Sequence, residues 1–445
     1  MIESGRMNNY SNILKYINNS LLGEDGSLIE EKMHPACKVG VVIQAYDEPP
    51  DILLMPLCSL SQQEGVKPEE FEAVVIINNS KTEAANRTRE YLANQLNIAI
   101  LRFMAGKGPQ PGNLPAENIE KIKEIKKSGI RVRLIDKSSL PFADRDNFLA
   151  KARNRAGAEI AKRFLRLPVG EKGIVAFTDC DCWFSNNYIS KIIESFDLYD
   201  INGLAGKLEL KIDPSIPYAD LVEKAVNIHM GIEVDPVFQK IQDGASGQLL
   251  YFQKEDKLPY QMLTTGQNII VLVRSLALVG GVPIVHSASD VHFGRAITNL
   301  PGDTLLNTGF RVYSYTRVSE RAGLASFGRR VKKISDSITK YMEGKSDKIF
   351  VPDRKAGKIF YYLIFTASKE GDLSPEYLKV AMEELGFKKN TLSKKELQSI
   401  CLVIDKEWKK PASERTFKDV EICLLDKLYP YFPEKDVTEL VMQAR

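Results

Sequence analysis

The segment Gly173-Ile174-Val175-Ala176-Phe177-Thr178-Asp179-Cys180-Asp181 decides the fold class of this chain. Its apolar, partly β-branched half is typical of a strand buried on both faces. Similar runs occur at 38–44 and 73–77, and helical patterns follow at 51–60, 82–96, 116–128 and 146–166. This alternation predicts a Rossmann-like, doubly wound α/β domain, with a mostly parallel sheet flanked by helices.

Composition along the chain predicts three regions. Residues 1–37 have helical spacing and form an N-terminal helical lead-in, residues 38–329 carry the α/β pattern, and 330–445 form a helical C-terminal appendage. Two more strands are predicted in the α/β region, at 97–103 and 130–135. Helices are predicted in the C-terminal region, at 350–368, 374–385, 393–409 and 417–428.

The whole-chain composition excludes several classes of protein. The chain has 445 residues, 44% of them hydrophobic, which excludes a largely disordered chain. Its 61 basic and 58 acidic residues give a net charge of +3, too balanced to indicate a nucleic-acid partner. Six cysteines are too few for a disulfide scaffold, and the first 20 residues lack the apolar segment of a secretory signal. We therefore expect a cytoplasmic protein, and the basic run 329–333 leaves a peripheral membrane contact open.

Polar side chains follow three of the predicted buried strands. They lie at Gln44–Glu48, Asn78–Ser80 and Asp179–Asp181. Ligands of doubly wound sheets bind outside the carboxyl ends of the strands. Asp179 and Asp181 could share one divalent cation, because Mg²⁺ and Mn²⁺ prefer oxygen ligands. The alternative is that the two aspartates only form a turn and a helix cap.

Six phrases in a fixed order resemble the family-two, GT-A fold glycosyltransferases. They span residues 38–321 and are Val41–Glu48, Ile77–Ser80, Ala152–Gly157, Asp179–Asp181, Thr265–Asn268 with Arg274–Gly281, and Ser289–Asp290. Three positions depart from the family pattern. Gln44 replaces Pro or Thr, Asn78 replaces an Asp that contacts the nucleotide base, and Ser289 replaces Glu.

The resemblance implies that a sugar is transferred from a nucleotide-diphosphate donor to an acceptor hydroxyl. It implies a Mn²⁺ or Mg²⁺ cofactor held by Asp179 and Asp181, with Asp290 as the base of an inverting reaction. It also implies that the acceptor is a carbohydrate, a lipid-linked sugar or a small molecule. The remaining residues implied to bind substrate are Gln44, Tyr46, Glu48, Asn78, Arg153, Gly266 and Asn268.

Two other functions stay open. One is a retaining glycosyltransferase in which His292 is a metal ligand, and the other is a catalytically silent scaffold that binds a sugar nucleotide. Single residues also have structural interpretations: Arg153 as a surface arginine, Asp290 as a helix cap, and Cys180 with Cys182 as packing residues rather than zinc ligands. Basic residues are concentrated in segment 121–166, but aromatic residues are sparse there, so a solvated helix face is favoured over nucleic-acid binding.

Overall fold

A ten-stranded mixed sheet lies at the centre of this computed structural model. Its strands are β1 (Val39–Ala45), β2 (Phe71–Ser80), β3 (Arg131–Phe142), β4 (Ile174–Asp179), β5 (Cys182–Phe184), β6 (Ile201–Ile212), β7 (Phe238–Gln242), β8 (Leu249–Gln253), β9 (Ile269–Leu272) and β10 (Asp303–Thr316). They lie in the order β3-β2-β1-β4-β9-β6-β10-β8-β7, and β5 pairs with β10. The structure describes residues 2–24, 27–112, 114–143, 149–230, 238–242, 249–253, 267–284, 289–316, 327–352, 367, 371–387, 392–408 and 433–443.

The first half of the sheet is parallel and the second half is antiparallel. Strands β3, β2, β1 and β4 are parallel neighbours. β9 then pairs antiparallel with both β4 and β6. The predicted α/β class, a mostly parallel sheet flanked by helices, is confirmed. The parallel half brings the carboxyl ends of β1, β2 and β4 to one edge of the sheet.

The described residues form α-helices before, between and after these strands. They are α1 (Ile2–Ser20), α2 (Pro50–Ser61), α3 (Lys81–Asn86), α4 (Arg89–Met104), α5 (Ala116–Ser128), α6 (Leu149–Phe164), α7 (Tyr188–Leu198), α8 (Ala219–Met230), α9 (Val273–Leu278), α10 (Ser289–Thr298), α11 (Phe327–Met342), α12 (Pro375–Glu384), α13 (Lys394–Trp408) and α14 (Thr438–Met442). Val41 and Ile43 of β1 join one core with Leu57 of α2, and Val42 joins a second core with Ile160 of α6. Burial on both faces explains why the strand has no polar alternation.

One predicted strand is wrong and one predicted helix is divided. Residues 97–103, predicted as a strand, lie within α4. A short apolar run has the same pattern in a buried strand and on the packed face of a helix, and here the helix continues through it. The predicted helix 82–96 is divided into α3 and α4, because Arg87 adopts a left-handed conformation with φ 48°. Thr88 then caps α4 by accepting a hydrogen bond from the Tyr91 amide.

The C-terminal region contains helices and a small sheet. α12 and α13 lie where helices 374–385 and 393–409 are predicted. The predicted helix 350–368 is wrong at its start, because Phe350–Pro352 forms β11 and pairs with β12 (Glu434–Asp436). Pro352 has no amide hydrogen to donate within a helix. The rest of that prediction falls almost wholly outside the described residues, as does helix 417–428.

Contacts divide the chain into two compact units. The first comprises 1–208, 239–254 and 262–314, and the second comprises 209–238, 255–261 and 315–445. The first unit includes α1, whose Ile13 and Tyr16 are buried in the same core as α6. The boundaries that composition places after residues 37 and 329 stay predictions for independently folding domains. None of the helices in the described ranges combines the length and apolar character that a membrane crossing needs.

Candidate functional site

The carboxyl ends of β1, β2 and β4 bring the three predicted polar segments together. Gln44 lies opposite Asp179 in the register of β1 and β4, and Ala45 lies opposite Ile77 in that of β1 and β2. Segments 44–48, 78–80 and 179–181 therefore meet at one edge of the sheet. Gln44 is buried, and its Oε1 atom accepts no hydrogen bond from the described residues.

Arg153 is a buried arginine that pairs with the first aspartate of the D-x-D. It lies on α6 and is 1% exposed, which excludes the surface-arginine interpretation. Its Nη2 atom donates to Asp179 Oδ1 at 2.5 Å. A charge-assisted bond of this kind fixes the carboxylate and balances its charge. The half-buried Asp181 lies two residues further along the chain.

The neighbouring residue, Asn154, fixes α6 to the turn after α9. Its Nδ2 atom donates to the Val282 carbonyl at 2.7 Å, and its Oδ1 atom accepts from the Val282 amide at 2.7 Å. Gly281 makes the close approach possible. It has φ +90°, and a Cβ there would lie 2.5 Å from Asn154 Oδ1. Two adjacent residues of the Ala152–Gly157 phrase thus connect the D-x-D with the Gly-Gly phrase.

Side chains from α3 hold the loop after β1. The Tyr46 hydroxyl donates to Glu83 Oε1. Glu83 Oε2 also accepts from the Ser80 amide at 2.7 Å and from Asn79 Nδ2 at 3.2 Å. Sequence analysis did not select Glu83, although the Ser80-x-x-Glu83 spacing of a capping box indicates it. Glu83 therefore joins the loop after β1 to the end of β2.

Asn94 of α4 makes a second connection between these loops and is fully buried. Its Oδ1 atom accepts from the Asp47 amide at 2.8 Å. Its Nδ2 atom donates to the Asn78 carbonyl at 3.1 Å and to Asn79 Oδ1 at 3.0 Å. Asp47 has φ 53°, a conformation that costs energy for a residue other than glycine. The amide of Asn94 thus supports a strained loop at the end of β1.

Asn97, one helical turn further along α4, fixes the same loop at the next residue. Its Nδ2 atom donates to the Glu48 carbonyl at 2.8 Å. Neither asparagine is among the predicted site residues: Asn97 falls in the segment predicted as a strand, and Asn94 falls in the predicted helix 82–96. Two asparagines three residues apart within a buried stretch of helix are the signal that could have found them.

The Thr265–Asn268 phrase approaches the D-x-D in its described part. Thr178 Oγ1 donates to the Gln267 carbonyl at 3.2 Å. The Asn268 side chain binds backbone, since Nδ2 donates to the Gly206 carbonyl at 2.7 Å and Oδ1 accepts from the Gly206 amide at 3.2 Å. Gly266, predicted to bind substrate, lies outside the described residues.

Asp290 and His292 lie on α10. Asp290 is half-buried in the first turn of the helix, and His292 is 5% exposed. Among the described residues, no three His, Cys, Asp or Glu side chains come together as a metal-ligand set. The metal role of His292 and the base role of Asp290 stay predictions.

Cys180 and Cys182 are both buried, as the packing interpretation predicts. Burial, together with the neighbouring Asp181 and Asp179 carboxylates, raises the pKa of the Cys182 thiol well above its usual value.

A groove of about 840 Å³ lies beside β3, and its lining includes Lys81, the residue after Ser80, and Lys137, which lies opposite Asn78. Its cations are largely engaged with carboxylates. Lys137 and Arg155 both contact Glu24, at 2.5 Å and 2.9 Å. The positive charges that line the groove are therefore largely neutralised by carboxylates and do not form a free basic surface.

Comparisons with known proteins find solved structures of low similarity and no match in sequence. No protein-family model matches the chain, and no curated protein sequence matches it. Three solved structures resemble it at 12% identity: *S. aureus* TarS residues 1–349 in complex with UDP-GlcNAc, mannosyltransferase PcManGT from *Pyrobaculum calidifontis* in complex with GDP-Man and Mn²⁺, and GalNAc-T7 with UDP, GalNAc and Mn²⁺. Their TM-scores are 0.38, 0.39 and 0.37.

These neighbours are GT-A-type glycosyltransferases, the family that the six phrases resemble. The matches cover 84%, 95% and 84% of this chain, and 91%, 94% and 58% of the respective neighbours. Because the TM-scores are below 0.4, the function of this chain is inferred from its own site residues.

Proposed function

We propose that this protein is a metal-dependent glycosyltransferase that moves a sugar from a nucleotide-diphosphate donor to an acceptor hydroxyl. The observation that carries the proposal is the pair of buried Arg153 and Asp179 at the end of β4, beside Asp181. The two loops fixed by Glu83 and Asn94 lie at the same sheet edge. A nucleotide needs such a set of groups. Polar loops bind its base and ribose, and carboxylates hold a cation near its phosphates.

The carboxylates of Asp179 and Asp181 fit Mn²⁺ or Mg²⁺, because both cations prefer hard oxygen ligands. When bound, the cation would neutralise negative charge that develops on the leaving diphosphate. Arg153 keeps Asp179 in a single orientation, and Asp181 is the carboxylate that completes the cation site. Gln44, Tyr46 and Asn78 belong to the nucleotide side of the site.

Asp290 is proposed as the general base of an inverting reaction. Its carboxylate takes the proton of the acceptor hydroxyl, and the acceptor oxygen forms a bond with the anomeric carbon. The bond from that carbon to the diphosphate oxygen breaks, and its electron pair leaves with the nucleoside diphosphate. The retaining alternative, with His292 on the metal, predicts the opposite product anomer.

The test is release of nucleoside diphosphate from a panel of UDP- and GDP-sugars, with Mn²⁺ or Mg²⁺. We expect Asp181→Asn to lower the rate by about 10²–10³-fold, the usual loss when one electrostatic contact to the developing charge is removed. Asp197→Asn, on the exposed face of α7, is the matched control and should retain wild-type rates. Equal rates for wild type and Asp181→Asn would refute the proposal.

The scaffold alternative gives a different result in the same assay. It predicts that wild type binds a sugar nucleotide without releasing the nucleoside diphosphate under any condition. The anomer of the product, assigned by NMR, then separates the inverting reaction from the retaining one.

A further inference from the structure

A short two-stranded ribbon follows the D-x-D directly. β5 pairs antiparallel with residues 312–314 of β10, and Trp183 lies opposite Tyr313. Side chains alternate between the two faces of the ribbon. The buried face carries Cys182, Phe184, Val312 and Ser314, whereas Trp183 and Tyr313 on the other face are only half-buried.

The two aromatic rings stack on each other. Trp183 and Tyr313 stack with ring centroids 5.4 Å apart and an interplanar angle of 17°. A cross-strand aromatic pair stabilises a ribbon by itself. Here, however, both rings keep contact with solvent, while Tyr188 and Phe310 nearby are fully buried. The ribbon therefore exposes apolar ring surface beside a polar site.

Charged side chains lie at both ends of this aromatic surface. Asp181 precedes Trp183 by two residues, in the turn before β5, and is half-buried like it. Arg311 precedes Tyr313 by two residues on β10 and is exposed. Aromatic rings flanked by a carboxylate and a guanidinium suit a pyranose ring, whose C–H face packs on the rings while its hydroxyls bind the charged groups.

The ribbon also lies on the side of the D-x-D where a sugar is expected. In the sheet order, β1 and β2 lie on one side of β4, and β10 lies on the other. The polar loops that would take the nucleotide follow β1 and β2. A donor whose diphosphate lies at Asp181 would therefore have its sugar end directed toward the ribbon.

We propose that Trp183 and Tyr313 form a stacking platform for the pyranose ring of a sugar substrate. This inference rests on the proposed function and adds to it the place of the sugar. The pyranose can belong to the donor or to the acceptor, and the second arm of the experiment distinguishes the two.

The first arm uses Trp183 as its own reporter. Trp183 and Trp408 are the two tryptophans of the chain, so Trp408→Phe leaves Trp183 as the single fluorophore. This variant is titrated with UDP and GDP, with UDP- and GDP-sugars, and with a panel of methyl pyranosides and oligosaccharides, all with Mg²⁺. We expect the Trp183 emission to change with sugar-containing ligands beyond any change caused by the nucleoside diphosphate. The platform would be overturned if Trp183 gave the same emission with UDP or GDP as with the corresponding sugar nucleotide, and if no saccharide changed that emission.

The second arm compares Trp183→Ala, Trp183→Phe and Tyr313→Ala with wild type. A platform for the donor sugar predicts about tenfold weaker binding of the sugar nucleotide, with affinity for the nucleoside diphosphate within about twofold of wild type. A platform for the acceptor predicts unchanged hydrolysis of the donor and a raised KM for a saccharide acceptor. Trp183→Phe keeps a ring and should recover most of the lost affinity. Urea unfolding measures the stability of each variant, so a loss of affinity that results only from unfolding can be recognised.

The two proposals fail in different ways. Absence of nucleoside diphosphate release from every donor, in wild type and in Asp181→Asn alike, refutes the glycosyltransferase. In that case the saccharide titration of Trp183 still tests the platform. The platform alone is refuted if enzyme that keeps Asp181 is fully active and if Trp183→Ala and Tyr313→Ala bind every sugar ligand as tightly as wild type does.

Discussion

Arg153 and Arg163 show what single residues of α6 do at opposite edges of the sheet. Arg153 pairs with Asp179 at the carboxyl edge, and Arg163 pairs with Glu72 at the start of β2. Arg163 and Glu72 are both almost completely buried, with side chains 4% and 1% exposed. The first pair lies beside predicted ligand-binding residues, whereas the second lies between packed elements of the core. The second pair is therefore expected to affect stability and leave the site intact.

We expect Glu72→Gln to lower the free energy of unfolding by about 3 kcal/mol, because it leaves the buried Arg163 without its counter-charge. The KM for a donor should not change. Urea denaturation and donor kinetics measure the two quantities. The control is Glu117→Gln, which removes an exposed i,i+4 pair with Lys121 on α5 and should lower the free energy of unfolding far less, because water screens an exposed pair. Equal costs for the two variants would show that the buried pair contributes no more than a surface pair.

At the scale of elements, α4 is the helix that fixes the predicted nucleotide loops. Asn94 and Asn97 bind the backbone of residues 47, 48 and 78 from one helical face. The Asn94 amide uses both its donor and its acceptor in these bonds, which makes its position specific, whereas the buried Asn97 Oδ1 has no hydrogen-bond partner among the described residues. The helix therefore couples the loop after β1 to the end of β2.

Asn94→Asp should weaken donor binding because a carboxylate cannot donate to the Asn78 carbonyl. We expect the donor KM to rise about tenfold, the effect of losing about one buried hydrogen bond. Asn202→Asp is the matched control. Asn202 is also buried and donates to the Pro301 carbonyl at 2.6 Å, but it lies at the start of β6, where the strand enters the sheet. The control should lose stability and keep the donor KM, and an equal rise of KM in both variants would contradict the role of Asn94.

The sequence predicts the elements with continuous patterns and misses what depends on tertiary contacts. Strands β1, β2 and β4 follow from buried apolar runs, and the polar segments after them follow from the topology of such sheets. The burial of Arg153 does not follow, because Arg155, two residues further along, has the same local pattern and instead forms a partly buried pair with Glu24. Glu83 and Asn94 act through residues distant in sequence, so their roles become visible only in the folded chain.

In the whole molecule, the net charge of +3 includes the basic segment 121–166, whose positive charge is partly neutralised by carboxylates. Several cations of segment 121–166 contact carboxylates: Lys121 with Glu117, Lys123 with Glu120, Lys137 and Arg155 with Glu24, and Arg163 with Glu72. The pairing argues against a nucleic-acid surface, but a solvated face describes only the exposed cations such as Lys123, because Lys137 and Arg163 are buried. The candidate site, by contrast, takes its charge from Arg153 and the D-x-D.

The central claim is that Asp181 binds a cation together with a nucleotide-diphosphate sugar. Thermal unfolding of wild type and Asp181→Asn, with a panel of UDP- and GDP-sugars and with or without Mn²⁺, tests it most directly. A ligand at a hundred times its Kd stabilises the folded state by about 2.7 kcal/mol. We predict that at least one donor raises the Tm of wild type only when Mn²⁺ is present, and that Asp181→Asn loses this shift. A donor-induced shift that is equal without Mn²⁺ or in Asp181→Asn, or no shift with any donor, would contradict the account.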